Sequence, residues 1–388
     1  MRADVLNLRH LRAVTAITET GTISAAARAV SLTQPAVTQA IAKLEAQLDV
    51  KLFERSPNGM TATDAGELLA LRAARALDLV ASSRVTAPQA RALVALARHG
   101  SYAAAAAAMG MREPSLHRAV ADLSVSLGQK LVERRGRGVV LTHRGAGLAR
   151  RLRLAQAELE SATAELDRYR GREVGRIVIG AMPLSRAKLL PDTIGKYHRL
   201  YPDVDIAVVE GSHAELLGPL RDGEIDLMIG ALRSGVPADL EQQPLFVDRP
   251  IVLGRSGHPL TSMSNAPSAT DLARFPWIVP AIPTPLRLQW ERMFERSGIE
   301  PPRVAIECGS VLVIRQLLME DDYLTLLSPA QVAVELEAGW LARVCAAPGD
   351  PSRTIGITSR VEWRPTQLQQ FFLDLLEAQA KTIEPTDD

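Results

Sequence analysis

The chain has 388 residues, of which 47% are hydrophobic and 23% are charged, a composition typical of globular proteins. Its length predicts about two to four domains, and its formal net charge of +1 excludes a uniformly basic nucleic-acid coat, so any DNA binding depends on local charge. No run of about eighteen apolar residues is present, which excludes a membrane-spanning helix from the prediction.

The first predicted elements form a helix-turn-helix. A helix over residues 8–19 comes first, and a short helix with an alanine face follows it. Thr33 then stands where an N-cap belongs, and Pro35 lies just inside the next helix, where its missing N–H costs little. That helix carries one apolar stripe at helical spacing, formed by Val37, Ile41, Leu44 and Leu48. Two short helices joined by a three-residue turn, with small residues allowing close packing, are typical of DNA-binding domains.

Residues 51–63 favour a wing beside the second of these helices. They contain two short strand-like runs around an Asn-Gly pair at Asn58 and Gly59, which is the pattern of a β-hairpin. We therefore predict that the outer face of the second helix and the hairpin contact DNA. The predicted DNA-binding residues of this domain are Thr33, Gln34, Pro35, Thr38, Gln39, Lys43 and Arg55. The alternative is a small helical subdomain that binds no nucleic acid.

These residues carry a resemblance to a known family. Residues 26–55, which include L-T-Q-P-A-V-T and L-F-E-R, and the closing T-x-x-G of Thr63 to Gly66 resemble the N-terminal domain of LysR-type transcriptional regulators. The resemblance covers about sixty residues without a gap. It implies a sequence-specific DNA-binding regulator that forms a homodimer or homotetramer. Its implied partners are double-stranded promoter DNA, a small-molecule effector and, for an activator, RNA polymerase.

The chain then repeats itself after a shift of 79 positions, so that Arg12 meets Arg91. Residues 8–66 and 87–145 share 20 identities over 59 ungapped positions. The identical pairs include Gly21 with Gly100, Pro35 with Pro114, Leu44 with Leu123, Thr63 with Thr142, and Gly66 with Gly145. This pattern predicts a tandem duplicate of the winged helix-turn-helix domain, whereas most proteins resembling this family carry one such domain.

The second copy differs on its predicted recognition face. Glu113 replaces Gln34, and a carboxylate suits phosphate contacts poorly although it can accept a hydrogen bond from cytosine. Arginines are concentrated in this copy, however, and such a cluster suits phosphate contacts. The arginines predicted to contact DNA are Arg112, Arg118 and Arg134, with Arg137 beside them. The alternative is a scaffold that only supports dimerisation or domain spacing.

Two further helices are predicted to follow the winged domains, over residues 64–81 and 147–170. In LysR-type proteins a helix after the DNA-binding domain pairs two protomers, and the leucine spacing of residues 147–170 agrees with that use. An ordinary core face is the alternative. The predicted domains are 1–66 (winged helix-turn-helix), 67–86 (helical linker), 87–146 (second winged helix-turn-helix), 147–173 (linker or dimerisation helix) and 174–388 (effector-binding domain).

From residue 175 onward, short apolar runs alternate with helical segments. The runs at 176–180, 204–209 and 226–230 are predicted strands, and their alternation with helices predicts a parallel sheet covered by helices. A further single strand is predicted at 245–254. The motifs G-R-I-V-I-G-A, R-D-G-E-I-D-L-M-I-G and S-G-H-P-L resemble the effector domain of the same family.

The implied fold class is multidomain: two all-α winged helix-turn-helix domains followed by an α/β domain like a periplasmic binding protein. Subdomain I is placed at about 174–254 and 350–388, and subdomain II at about 255–349. A cleft between such subdomains is a natural ligand site, because strand ends and helix N-termini point N–H groups into it. Position alone predicts the effector-binding residues Ser185, Ser212, His213, Thr284 and Ser310. The resemblance implies a small carboxylate or another metabolite as ligand, and plain helix capping is the alternative for the hydroxyls.

No catalytic constellation is present in the sequence, which lacks a Walker glycine loop, a G-x-S-x-G elbow and an H-x-x-x-H pair. We therefore expect no enzyme, no cofactor and no metal site. His258 is predicted to make a structural contact. Cys308 and Cys345 cannot form a secreted disulfide framework, and redox sensing is disfavoured, so a cytoplasmic protein is expected. The alternative to a ligand-controlled regulator is a binding module without direct DNA regulation.

Overall fold

The first part of the chain is a helical bundle that carries a β-hairpin. The computed structural model describes residues 7–56, 59–136, 138–349 and 351–383. In chain order the bundle contains α1 (Leu8–Thr20), α2 (Ile23–Ala29), α3 (Gln34–Leu48), β1 (Phe53–Ser56), β2 (Gly59–Ala62) and α4 (Asp64–Val80). β1 and β2 pair antiparallel, with Phe53 opposite Ala62. The predicted helix-turn-helix and hairpin are therefore present, while Asn58 of the predicted turn lies outside the described residues.

The sequence around α3 explains where this helix begins and which face it buries. The Thr33 hydroxyl accepts a hydrogen bond from the Ala36 N–H at 3.4 Å, so the predicted N-cap is present. Pro35 lies in the first turn, where it removes no intrahelical bond. The buried face of α3 consists of Val37, Ala40, Ile41, Leu44 and Leu48. Because this face packs on α1 and α2, the polar residues on the other side of α3 point outward.

The next part of the chain repeats this order of elements. The second set is α5 (Ala87–His99), α6 (Tyr102–Ala108), α7 (Glu113–Leu127), β3 (Val132–Arg135), β4 (Gly138–Leu141) and α8 (His143–Arg168). Matched hydrogen bonds hold each hairpin to the helix that follows it. Thr63 donates its hydroxyl to the Lys51 carbonyl at 2.7 Å. At the equivalent place, Thr142 donates its hydroxyl to the Lys130 carbonyl at 2.8 Å.

A glycine three residues after each of these threonines lets the hairpin and the helix touch. A Cβ atom on Gly66 would lie 2.0 Å from the Leu52 carbonyl oxygen, and one on Gly145 would lie 1.9 Å from the Leu131 carbonyl oxygen. Only glycine fits such a close approach of helix to backbone without displacing the hairpin.

We expect Gly66→Ala to lower the free energy of unfolding by about 1–3 kcal/mol, because backbone rather than a flexible side chain must move. Gly147→Ala in α8 is the matched control, since a Cβ there meets nothing within 4 Å and alanine favours a helix. Chemical denaturation of both variants measures the difference. Equal stability of the two variants would contradict the close contact between α4 and the first hairpin.

α4 and α8 pack against each other and join the elements α1 to α3 and α5 to α7 in one hydrophobic core. Arg72 of α4 is 5% exposed, and its Nε and Nη1 each lie 3.0 Å from a carboxylate of α8, on Glu165 and Glu158 respectively. Burial lowers the pKa of Arg72, but the hydrogen bonds and charges of the two glutamates outweigh it and raise the pKa above its ordinary value. The leucine face of α8 is therefore covered by α4 of the same chain.

Subdomain I of the C-terminal part is built on a five-stranded sheet. Its elements are β5 (Gly175–Ala181), α9 (Leu189–Leu200), β6 (Val204–Glu210), α10 (His213–Arg221), β7 (Leu227–Ala231), β8 (Leu240–Asp248), β14 (Arg353–Arg360) and α15 (Gln367–Ala380). The strand order is β6-β5-β7-β14-β8, and β5 runs parallel to β6 and β7. Parallel pairing places the carboxyl ends of β5 and β6 at one edge of the sheet.

Subdomain II contains the second five-stranded sheet, in the order β11-β10-β12-β9-β13. Its elements are β9 (Ile251–Arg255), α11 (Ala269–Leu272), β10 (Trp277–Val279), α12 (Pro285–Glu295), β11 (Ile306–Glu307), α13 (Val311–Glu320), β12 (Leu324–Leu327), α14 (Ala333–Glu337) and β13 (Leu341–Ala346). The single strand predicted at 245–254 is wrong, because the chain breaks before Pro250 and enters the other sheet. At the two crossovers, Arg353 Nε lies 2.8 Å from the buried Asp248 carboxylate.

The pair formed by α4 and α8 contacts subdomain I of the same chain. Arg150 Nε lies 2.6 Å from the Asp222 carboxylate, and Arg153 Nη2 lies 2.5 Å from the same group. On the other side, Arg72 Nη1 donates to the Arg364 carbonyl at 3.0 Å. Arg72 therefore contacts α8 and the C-terminal part at once. None of the helices that the structure describes has the length and apolar character needed to cross a membrane.

Candidate nucleic-acid interface and effector cleft

The outer face of α3 presents a row of exposed polar side chains. Thr33, Gln34, Thr38 and Gln39 are all exposed. Gln34 Nε2 donates to the Ser24 hydroxyl at 2.8 Å, which holds this glutamine beside the start of α2. A shallow groove along this face is lined by Ile23, Gln34, Pro35, Ala36, Thr38, Gln39 and Ala42. The structure therefore brings the predicted residues at the start of α3 together on one open surface.

Lys43 and Arg55 extend this surface. Lys43 is exposed one turn further along α3 than Gln39, and Arg55 is exposed on β1. The hairpin that carries Arg55 is fixed to the end of α3 by Glu45, a contact that sequence reasoning missed. The Glu45 carboxylate accepts from the Leu52 N–H at 2.9 Å and lies 3.0 Å from Lys51 Nζ. Arg55 thus projects from a hairpin whose start is anchored to the recognition helix.

The outer face of α7 has the same arrangement as the outer face of α3 but carries different side chains. Arg112 occupies the N-cap position and makes no side-chain cap bond there. The His117 ring packs on the Tyr102 ring, with 4.9 Å between the ring centroids. The groove along α7 is lined by Glu113, Pro114, His117, Arg118 and Ala121, each 79 positions after a residue that lines the groove along α3.

Positive charge on this second face comes from exposed arginines on two elements. Arg112 and Arg118 are exposed at the start and on the outer side of α7, and Arg134 is exposed on β3. Arg137, which was also predicted to contribute, lies outside the described residues. Guanidinium groups arranged this way suit a phosphate backbone better than a matched set of base edges.

In subdomain I, Ser185 and Ser212 occupy different surroundings. Ser185 is fully buried, and its hydroxyl donates to the Met182 carbonyl at 2.9 Å. A short 3₁₀ turn after β5 folds the side chain inward, so this hydroxyl, which is predicted to bind the effector, faces the interior of subdomain I. Ser212 is exposed and caps α10, where its hydroxyl accepts from the Glu215 N–H at 3.4 Å.

His213 lies beside Ser212 at the start of α10 and is half-buried. Burial, and then the charge of Arg233, lower the pKa of His213, so the imidazole is neutral at pH 7. Sequence reasoning missed the ion pair between Arg186 and Glu210 at the same edge of the sheet. Their position at the ends of two neighbouring parallel strands is the signal that could have found them. This edge offers a ligand both a cation and hydrogen-bonding groups.

Subdomain II brings Thr284 and Ser310 to one edge of its sheet. β10 and β11 pair in parallel, and the two hydroxyl residues follow them at the starts of α12 and α13. Thr284 accepts from the Arg287 N–H at 3.3 Å, so its hydroxyl is used as a cap. Ser310 is exposed and makes no side-chain cap bond, which leaves its hydroxyl available to a ligand. Helix starts of this kind favour anions.

His258 and Cys345 belong to the interior of subdomain II. His258 is fully buried, its Nδ1 accepts from the Leu260 N–H at 3.2 Å, and its ring packs on Phe275. The predicted structural contact of His258 is confirmed. Burial, opposed by the charge of Arg343, raises the pKa of the Cys345 thiol to about 11, so the thiol is protonated at neutral pH.

These two regions define a class of protein. A helix-turn-helix with an exposed polar N-terminal face fits the major groove of DNA. A two-subdomain α/β unit whose parallel strands lead to helix starts in both subdomains fits a small ligand. A chain that joins both is a DNA-binding protein of the ligand-regulated kind.

Comparison with known sequences identifies the family. The profile described as "Bacterial regulatory helix-turn-helix protein, lysR family" matches residues 8–67 and again residues 88–146. The profile described as "LysR substrate binding domain" matches residues 170–381, which is more than half of the chain. The chain belongs to the LysR family of bacterial transcriptional regulators.

Named relatives agree with this assignment. The HTH-type transcriptional regulator GalR of Pseudomonas putida is 34% identical over 371 residues, which cover 92% of this chain and 93% of that protein. The SDS degradation transcriptional activation protein of a Pseudomonas species is 32% identical over 279 residues, covering 70% of this chain and 89% of that one. A full-length OxyR variant from Pseudomonas aeruginosa has a TM-score of 0.56 at 23% identity, covers 76% and 97% of the two chains, and shows the fold alone. The relatives support a regulator rather than an isolated binding module.

Proposed function

We propose that α3 lies in the major groove of an operator and reads base edges with Gln34, Thr38 and Gln39. The observation that carries this proposal is the exposed polar start of α3, held outward by the buried stripe behind it. Glutamine matches adenine through its amide, and helix N-termini contact base edges in this class of domain. Arg55 and Lys43 contact the phosphate backbone on this proposal, and Thr33 and Pro35 set the start of the helix.

The proposal extends to the second winged unit. Residues 87–146 are a tandem duplicate of residues 1–66 on this view, and residues 67–86 and 147–173 are helical connections, each leading into the next domain. Glu113 weakens base recognition by the duplicate, whereas Arg112, Arg118 and Arg134 neutralise phosphates. Support comes from the matched groove linings and from the exposure of the three arginines.

Residues 174–388 bind a small effector between their subdomains on this proposal. Ser212, His213, Thr284 and Ser310 lie at helix starts that follow parallel strands, which favours a small carboxylate or a similar anion. The protein acts by binding rather than by catalysis. Chains associate into dimers or tetramers, and an activating form contacts RNA polymerase.

The first prediction tests base recognition by α3. Gln34→Ala should weaken binding to the preferred operator by about 1–3 kcal/mol and relax the preference at one base pair, because a bidentate amide contact is lost. Gln47→Ala is the matched control, since Gln47 is exposed near the other end of the same helix. Binding is measured on the preferred and on scrambled duplexes. An equal loss on both duplexes would show that Gln34 does not read a base.

A second prediction concerns the effector. Ligands are first identified by a thermal-shift screen of small carboxylic acids against the full chain. The Ser310→Ala variant should then need about tenfold more ligand to reach the same rise in melting temperature, because a hydrogen bond to a charged group is lost. Ser268→Ala is the control, since Ser268 caps α11 elsewhere in subdomain II. An unaltered response of the Ser310 variant would place the ligand elsewhere.

A further inference from the structure

The helices α4 and α8 bury equivalent faces against each other. The buried residues of α4 include Leu69, Ala73, Ala76 and Val80. The residues 79 positions later on α8 are Leu148, Leu152, Ala155 and Leu159, and all four are buried as well. A contact in which both partners use the same surface is isologous, the kind that forms two-fold symmetric pairs. Here both partners belong to one chain.

Contacts at the two helix ends join corresponding elements, although the residues that make them are not 79 positions apart. α4 begins at the first hairpin, and just beyond its end Arg84 Nη1 donates to the Ser126 carbonyl near the end of α7 at 3.2 Å. α8 begins at the second hairpin, and just beyond its end Arg170 Nη2 lies 3.1 Å from the Asp49 carboxylate at the end of α3. Each helix therefore starts in its own winged domain and ends beside the recognition helix of the other one. The two helices run antiparallel.

The pairing of α4 with α8 is complete within one chain. Arg72 connects the middle of α4 to Glu158 and Glu165 of α8, and one hydrophobic core runs through both winged domains. The outer side of α8 is already used, because Arg150 and Arg153 pair with Asp222 of subdomain I. The faces of α4 and α8 that pair the two winged domains thus cover each other within one chain, and neither is free to pair with a second chain.

We propose that each chain carries its own two-fold pair of recognition helices and binds two successive major grooves of one duplex by itself. The inference rests on the proposed DNA binding by α3. Paired helix-turn-helix units contact half-sites about 34–36 Å apart on one face of DNA. The two faces differ in chemistry, since Gln39 of α3 corresponds to Arg118 of α7. The target is therefore an asymmetric site, with one half-site read through base edges and the other held mainly through phosphates.

Matched substitutions at equivalent positions test this proposal. Gln39→Glu and Arg118→Glu each place a carboxylate at the same exposed position of one recognition helix. A preferred operator is selected from random duplexes with the full chain and then mapped by hydroxyl-radical footprinting. We expect two protected segments about one helical turn apart. Gln39→Glu should remove one segment and Arg118→Glu the other, each with about tenfold or greater loss of affinity.

Co-expression of the two variants separates pairing within a chain from pairing between chains. If each chain pairs its own winged domains, the mixture binds no more tightly than the better single variant. If pairing occurs between chains, some mixed pairs contain two intact recognition helices, and wild-type affinity with both protected segments returns in part. That restoration would overturn the inference.

The remaining outcomes are also decisive. Loss of binding for Gln39→Glu with an unchanged Arg118→Glu footprint would overturn the inference but leave the proposed role of α3 intact. Unchanged binding for both variants, with unchanged melting temperatures, would overturn the proposed function itself. The variants lie on exposed positions, so their melting temperatures should match that of the parent chain.

Discussion

Arg72→Ala is expected to lower the free energy of unfolding by about 3–5 kcal/mol, because it leaves the Glu158 and Glu165 carboxylates without their buried partner. The Arg72 side chain is 6% exposed, and its guanidinium contacts both α8 and the Arg364 carbonyl. Urea denaturation of the full chain measures the loss. The early part of the transition should involve α1 to α8, since α4 and α8 lie in the core that these helices share.

Arg75→Ala is the matched control for this prediction. Arg75 also lies on α4 and approaches Glu158, but the distance is 3.9 Å and its side chain is 27% exposed. Its removal should cost about 0–1 kcal/mol, because a pair this long and partly open to solvent contributes little. A combined variant, Arg72→Met with Glu158→Gln and Glu165→Gln, should recover much of the loss because no charge stays buried alone. If Arg72→Ala costs no more than Arg75→Ala, α4 and α8 do not pack as described.

The second large predicted effect is a change in the salt dependence of DNA binding. The triple variant Arg112→Ala, Arg118→Ala and Arg134→Ala should bind every duplex more weakly, with an unchanged ranking of sequences. Each phosphate contact steepens the log–log salt dependence by about 0.9, so three lost contacts should flatten the slope by about 2.7. The slope is obtained by titrating labelled operator at several salt concentrations. Arg137, which belongs to the same predicted cluster, lies outside the described residues and is left unchanged.

A control for net charge is available in the C-terminal part of the chain. Arg274, Arg292 and Arg303 are located in subdomain II, and their replacement by alanine removes the same total charge. This control should leave the salt slope unchanged, because the residues are remote in sequence and fold from α7 and β3. A slope that stays the same in both triple variants would show that α7 and β3 do not touch DNA. A changed ranking of sequences would show that it reads bases.

Much of the local structure could be predicted because its causes are local. The cap at Thr33, the apolar stripe of α3 and the T-x-x-G at Thr63 to Gly66 act between residues only a few positions apart. The repeat after 79 positions predicts the same order of helices and strands for residues 87–145, and the structure has that order. The outward face of α3 followed from the stripe alone, since a helix that buries one side exposes the other.

Sequence patterns did not predict features that depend on contacts between residues far apart in the sequence. Ser185 follows a predicted strand, yet its hydroxyl turns inward to the Met182 carbonyl because the segment after β5 forms a short turn. The strand predicted at 245–254 was divided between two sheets by Pro250, and no period within those ten residues shows where the chain changes sheet.

The sequence by itself determined the helix-turn-helix, the hairpin beside it, the repeat and the alternating strands and helices, because periodicity, capping and turn residues act over short distances. Only the tertiary structure decided what covers the leucine face of α8. An amphipathic helix needs an apolar partner, and its sequence does not say whether that partner belongs to the same chain. In this protein α4 provides it, because Leu69, Ala73 and Val80 of α4 lie in one buried core with the leucines of α8. Arg72 adds polar contacts to Glu158 and Glu165 across 86 and 93 positions of sequence.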